Sequence, residues 1–113
     1  MEVYSVNISD VALADMESIY NYIAKTLLAP ESALRQYNRI ANAILSLDTL
    51  PERYPFFDLE PEHSWRMRKM VVDNYIVCYI VDPGIVTVTD VLYGAANVHS
   101  WLKRRHRQGR YSV

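Results

Sequence analysis

The chain of 113 residues holds a single cysteine, and one thiol cannot close an intramolecular disulfide. A small scaffold stapled by disulfides is thereby excluded. Cys78 lies inside an apolar run, where a buried core thiol is the ordinary reading, and a reducing cytoplasm is the compartment expected. Long apolar stretches are missing too. No run approaches the ~20 residues that a membrane helix requires, so no membrane partner is expected. The opening MEVYSVNIS has neither a basic leader nor a long apolar core, and is not expected to act as a signal peptide. Histidines are few: His63, His99 and His106 show no metal-ligand spacing, so neither a metal nor another cofactor is expected. Neither an internal repeat nor a second domain is visible.

What is present fits one folded domain. Half of the residues are hydrophobic and 22% are charged, a balance that buries one modest core and argues against disorder. The formal net charge of -1 hides an asymmetry. Residues 1–62 carry ten acids and four bases, whereas residues 63–113 carry eight bases and three acids. Such a dipolar molecule can present a basic side to an anion.

VYSVNI, residues 3–8, alternates as a strand with Tyr4, Val6 and Ile8 inward. Ser9 or Asp10 can cap a following helix. Apolar residues then recur at Leu13, Met16, Tyr20, Ile23 and Leu27, one stripe of an amphipathic helix. Pro30 suits the first turn of a second helix, and Glu31 suits the positive end of its dipole. Its stripe is Ala33, Tyr37, Ile40, Ile44 and Leu47, and Pro51 ends it. Together the two read as a helical hairpin. Residues 51–64 form a loop with three prolines, which Tyr54, Phe56 and Phe57 tuck onto the body. Three strands follow at about 65–72, 75–82 and 85–93, separated by DN and DPG turns. Tyr75, Val77, Tyr79 and Val81 share one face of the middle strand, and Ile76, Cys78 and Ile80 share the other. Both faces are apolar, which predicts a central strand covered on both sides. A short helix at about 97–103 carries Val98, Trp101 and Leu102. The fold class is α+β: an N-terminal strand and helical hairpin packed on a small antiparallel sheet, with a short C-terminal helix. The folded domain is expected over residues 1–103 and a basic tail over residues 104–113.

Three features resemble the RelE/ParE superfamily of bacterial toxins, the toxin halves of type II toxin–antitoxin pairs. One is the strand and helix pair closing on ILSLDTLPERYP. Another is WRMRKMVVDNYIVCYIVD, similar to the family's basic strand, short turn and following strand. The third is VTVTDVLYGAANV, similar to its last strand. The resemblance spans residue 3 to about 102 and implies a cytoplasmic, growth-inhibiting toxin neutralised by a cognate antitoxin protein. The superfamily divides into RelE-like ribonucleases, which cut mRNA on the ribosome, and ParE-like members, which inhibit DNA gyrase. In the ribonuclease branch an arginine typically follows the position of Tyr75. Here that residue is Ile76. Asp90 stands where many relatives keep a base, Tyr93 where many keep histidine, and Ala95 and Ala96 where many keep charges. These departures make the chain resemble the ParE and plasmid-stabilisation branch more closely.

The candidate catalytic residues are Arg66, Arg68, Lys69 and Tyr93. Two residues apart on a strand, Arg66 and Arg68 would leave the same face and form an anion clamp; the plainer alternative is a solvated outer face. Lys69 breaks the alternation and suggests a bulge. Tyr93 offers a hydroxyl to a phosphate, or else packs on Trp101. Glu62 and His63 form an acid–base couple or simply a surface loop. His106 reads as a tail residue. Asp90 falls in phase with Val86 and Val88, so it faces the core and requires a partner, Arg66 or Arg68. LKRRHRQGR binds nucleic acid or an acidic partner, or only solubilises the terminus. Three functions are compatible: a gyrase-directed toxin, a ribosome-dependent mRNA endonuclease, and an inactive member that only binds its antitoxin.

Overall fold

A computed structural model describes residues 2–95 and 97–106. Strand β1 (Ser5–Ile8) leads into helix α1 (Asp10–Asn21), which continues as a π-helical turn, Tyr22–Thr26. Helix α2 (Pro30–Leu45) follows, then strands β2 (Arg68–Val72), β3 (Tyr75–Asp82) and β4 (Ile85–Tyr93), and helix α3 (Val98–Arg105). The strand order is β1-β4-β3-β2. The three late strands form the expected antiparallel meander, and β1 joins β4 in parallel. The sheet is therefore mixed, with α1 and α2 on one face and α3 on the other.

The first helix starts where the cap chemistry requires. The Ser9 hydroxyl accepts from the Ala12 N–H at 3.1 Å and donates to the Thr89 carbonyl at 2.9 Å. It thus satisfies an orphan helix donor and ties the helix start to β4. Farther along, the Asp15 carboxylate accepts from the Val91 N–H at 2.9 Å. That bond replaces the ladder partner which β4 loses where β1 ends. These two polar contacts set the rotation of α1. The buried ridge is consequently Ala12 and Met16 with Ile19 beside them, and Leu13 and Leu27 of the expected stripe are exposed. The expected stripe holds: Ala33, Ile40 and Ile44 of α2 are buried, with Leu47 in the 3-10 turn after it, and Tyr37 packs beside them.

β3 is covered on both sides, as its two apolar faces predict. Val77 and Tyr79 join the core under the hairpin, while Cys78 and Ile80 join Phe57, Met67, Leu92, Val98 and Leu102 under α3. The Tyr79 hydroxyl donates to the Pro51 carbonyl at 2.6 Å and anchors the long loop from beneath. Trp101 lies outside this second core, 43% exposed.

A bulge separates the two halves of β4. Cys78 lies opposite Asp90, but Tyr79 lies opposite Val88, leaving Thr89 as the extra residue. A bulge inverts the face on which every later side chain falls. Asp90 therefore does not share the face of Val86 and Val88, as strict alternation predicts; it points towards α3. That helix runs to Arg105 and His106 is buried behind it, so the folded body extends past residue 103. Residues 107–113 of the expected tail lie outside the described residues.

Candidate functional site

The basic segment does not form one clamp. β2 begins only at Arg68, and Arg66 precedes it in a turn with φ +61. The two arginines therefore do not leave one strand face. Both approach the Phe56 ring, with guanidinium carbons 5.3 Å and 3.9 Å from its centroid. Arg66 is exposed, but the Arg68 side chain is about 10% exposed. Arg68 donates to the carbonyls of Tyr54 at 2.6 Å and Glu52 at 3.2 Å, and lies 3.6 Å from the Glu52 carboxylate. It pins the loop to the sheet. Lys69 projects from the opposite face of β2, its Nζ 5.4 Å from the Phe57 ring. It continues the strand register rather than marking a bulge.

Tyr93 sits at the other end of the meander. It is opposite Tyr75, whereas Arg68 is opposite Tyr79. Four strand residues separate these positions, about 13 Å at the usual rise. Tyr93 packs on Tyr75, centroids 5.8 Å apart, rather than on Trp101. The four candidates therefore do not converge on one reacting atom.

A second charged group lies beneath α3, and sequence reading located only part of it. The partners of Asp90 are not Arg66 or Arg68. Arg105 reaches the Asp90 carboxylate at 3.0 Å and Asp15 at 2.8 Å, and His106 Nε2 lies 3.1 Å from the other Asp90 oxygen. Asp90 is wholly buried. Burial acts to raise its pKa, but hydrogen bonds from His106, Thr89 and Arg105 outweigh it and hold the carboxyl below its ordinary value. Burial pushes the nearby Cys78 thiol well up, which leaves it a core residue and not a nucleophile. Glu62 is also wholly buried and meets His99 Nδ1 at 2.5 Å, while His63 turns to the Phe57 carbonyl at 3.0 Å. Glu62 and His63 thus form no couple. Both buried carboxylates link α3 to the body, and α3 is short enough to need such ties. Among the described residues no three His, Cys, Asp or Glu side chains cluster as a cation site.

A third region, among the described residues, is a mainly apolar concavity. A groove of about 680 Å³ opens between the end of α1 and the tip of the sheet, lined by Ile19, Tyr22, Ile23, Leu27, Tyr75 and Tyr93. The π-helical turn supplies Tyr22 and Ile23 to the wall and Leu27 follows it, and Tyr22, Leu27 and Tyr93 are each more than half exposed. Burial, with Tyr93 and Tyr22 nearby, raises the pKa of Tyr75. Gly94 follows Tyr93 at the end of β4, and a Cβ there would come within 3.2 Å of the Asn74 carbonyl. Ile76 packs against the second core. Ala96 lies outside the described residues.

The architecture is shared with known toxin–antitoxin proteins. A chain from the chromosomal ParDE toxin–antitoxin system of P. aeruginosa superposes with a TM-score of 0.68 at 17% identity, over 80% of this chain and 96% of that one. A chain of the RelBE2 toxin–antitoxin complex from Mycobacterium tuberculosis superposes with a TM-score of 0.58, also at 17% identity, over 82% and 93%. Identities this low establish the fold alone. No curated protein matches the sequence. The model of the ParE toxin of the type II toxin–antitoxin system, parDE, matches residues 6–98, and the chain belongs to that family. No helix among the described residues is long and apolar enough to cross a membrane.

Proposed function

We propose that this ParE-family toxin arrests growth by binding DNA gyrase in the cytoplasm, and that it cuts no RNA. One observation carries the reading: the cations that a phosphate-cutting site needs are occupied or missing. Arg68 is engaged by two loop carbonyls and Glu52. Ile76 is apolar, and the buried position of a possible third base is Asp90. Cleavage requires cations on the developing charge and an acid and a base within reach of the same phosphate. Arg66, Lys69 and Tyr93 remain as exposed or half-exposed groups on separated surfaces, better suited to contact than to catalysis.

The antitoxin is the partner that silences the toxin. An amphipathic helix or extended tail laid into the groove of Tyr22, Leu27, Tyr75 and Tyr93 would bury apolar surface now facing water.

Induced expression in bacteria, paired with assays on purified protein, tests the reading. Gyrase supercoiling should be inhibited, and the DNA-damage response should rise while translation continues. Cut mRNA with an early stop in translation would overturn it in favour of the endonuclease, with Arg66, Arg68, Lys69 and Tyr93 as its candidates. Growth unaffected by the toxin without antitoxin would leave a member that only binds its antitoxin.

A further inference from the structure

Gln36 is the one polar side chain of the apolar groove that is already held in place. No charged side chain lines the groove; its polar groups are Ser18, Gln36, Asn74 and the three tyrosines. Among the described residues only Gln36 of these makes a side-chain hydrogen bond, its Nε2 donating to the Asp73 carboxylate at 3.0 Å. Asp73 lies in the turn between β2 and β3 with φ +55, a conformation that aspartate and asparagine tolerate. Arg39, three residues along α2 from Gln36, donates to the same carboxylate through Nε at 2.7 Å and a terminal nitrogen at 2.8 Å. One face of α2 therefore sends an amide and a guanidinium to a single turn.

These contacts fix which way the amide points. Hydrogen bonds from Arg39 and then Gln36 hold the Asp73 carboxyl below its ordinary pKa. An ionised carboxylate only accepts, so the NH2 end of Gln36 faces it. An unconstrained amide presents either end; here the carbonyl Oε1 is the end left over. It accepts no hydrogen bond among the described residues. The tie is too exposed to stabilise the fold much, the Arg39 side chain being 65% exposed and that of Asp73 31%. Its consequence is orientation. An acceptor whose rotamer freedom is already restricted costs a binding partner less to engage.

On the reading that the antitoxin occupies the groove, we infer that Gln36 is its recognition residue: Oε1 accepts a hydrogen bond from an uncharged anchor of the antitoxin, and Asp73 positions that acceptor. The chemistry of the anchor follows from the wall. An ionised side chain entering the groove would give up its hydration with no counter-charge to meet it. An apolar body beside one N–H or O–H matches both the apolar surface and the acceptor. That donor sets the register of the docked segment, which non-directional apolar contact leaves free to slide.

Calorimetry of the purified chain with the cognate antitoxin tests this, beside thermal unfolding. Gln36→Met keeps the length of the side chain and removes the acceptor; affinity should fall about tenfold with the melting temperature nearly unchanged. Asp73→Asn keeps the turn and frees the Gln36 amide to turn over. It should weaken binding by less, and the double variant should bind no worse than Gln36→Met alone. Losses that add in the double variant overturn the positioning role, since the two residues would then act separately. Ser18 is exposed on the same wall. Ser18→Asp and Ser18→Lys should both weaken binding, because an uncharged anchor gains from neither sign; tighter binding with either one overturns the uncharged anchor. Failure of the groove itself reads differently. If Tyr22→Asp and Leu27→Asp bind as wild type, the antitoxin does not sit there and the role of Gln36 falls with the groove. If those two lose affinity while Gln36→Met binds as wild type, the groove stands and the role of Gln36 alone is overturned.

Discussion

The guanidinium of Arg105 and the carboxylate of Asp90 meet 3.0 Å apart beneath α3, one at the end of the last described helix and the other on the strand it covers. The same guanidinium holds Asp15 at 2.8 Å. One cation therefore joins α1, β4 and α3. Its hydrogen bonds to Asp15 raise the Arg105 pKa above its ordinary value, against desolvation and with the help of Asp90.

Removal of that cation should leave Asp15 and Asp90 without their shared guanidinium; among the described residues His106 still meets Asp90 and the Val91 N–H still meets Asp15. Arg105→Ala is expected to destabilise the fold by about 3 kcal/mol, as for a broken buried ion pair. Urea unfolding measures it. In the Asp90→Asn background the same change should cost clearly less, because the charge left uncompensated is gone. Equal losses in both backgrounds would show that Arg105 acts only through packing.

Asp90 also sets a pH dependence. Its folded pKa is held below the ordinary aspartate value. A carboxyl depressed on folding adds stability that is complete above the unfolded pKa and is lost as pH falls through the folded value. Unfolding free energy should therefore decline below about pH 4, and the curve for Asp90→Asn should be flatter there. Chemical denaturation from about pH 6 to about pH 2 decides it; parallel curves for the two proteins would remove Asp90 from the account of acid sensitivity.

The sequence made the fold legible wherever a single period governs a segment. The α2 stripe followed from spacing, because burial on a regular element repeats with its geometry, and the limits of β3 and β4 followed from the DN and DPG turns that bound them. Rotation of α1 did not follow, since Ser9 and Asp15 set it by bonding to β4 residues eighty and seventy-six positions away. Nor did the side of the sheet on which Asp90 falls. One bulged residue, Thr89, reverses it, and no local pattern in VTVTDVLY marks the bulge. The shared face expected of Arg66 and Arg68 fails for a similar reason. Arg66 and Arg68 look like a pair by spacing, but a left-handed turn ends their shared alternation. The Arg105 and His106 ties were hidden in a run of bases that reads as a solvated tail; the one signal available was Asp90 itself, a carboxylate among apolar strand residues that required a cation from somewhere.

Arg66 and Arg68 should now separate. Arg66 is exposed and donates no side-chain hydrogen bond among the described residues, so Arg66→Ala should change stability by no more than about 0.5 kcal/mol. Arg68→Ala removes two bonds to loop carbonyls and should cost about 2 kcal/mol. Growth assays read beside thermal unfolding give the functional half. Loss of toxicity in the stable Arg66 variant assigns it to target contact. Full toxicity in both variants removes the basic segment from the site.

The groove yields the sharpest test of the silencing partner. Tyr22 and Leu27 lie on its rim, more than half exposed, so Tyr22→Asp and Leu27→Asp should leave folding within about 0.5 kcal/mol of wild type. An apolar anchor seated between them would meet a charge, and affinity for the cognate antitoxin should fall at least tenfold, a loss of about 1.4 kcal/mol or more. Leu45→Asp is the control: it is 60% exposed but nine residues along α2 from Gln36, the α2 residue in the groove wall, roughly 13 Å away by helical rise. Isothermal calorimetry with the antitoxin gives the affinities, and co-expression gives the consequence: the groove variants that remain toxic should escape rescue while the control is silenced. Wild-type affinity in both groove variants, or an equal loss in the control, would move the antitoxin to another face of the toxin.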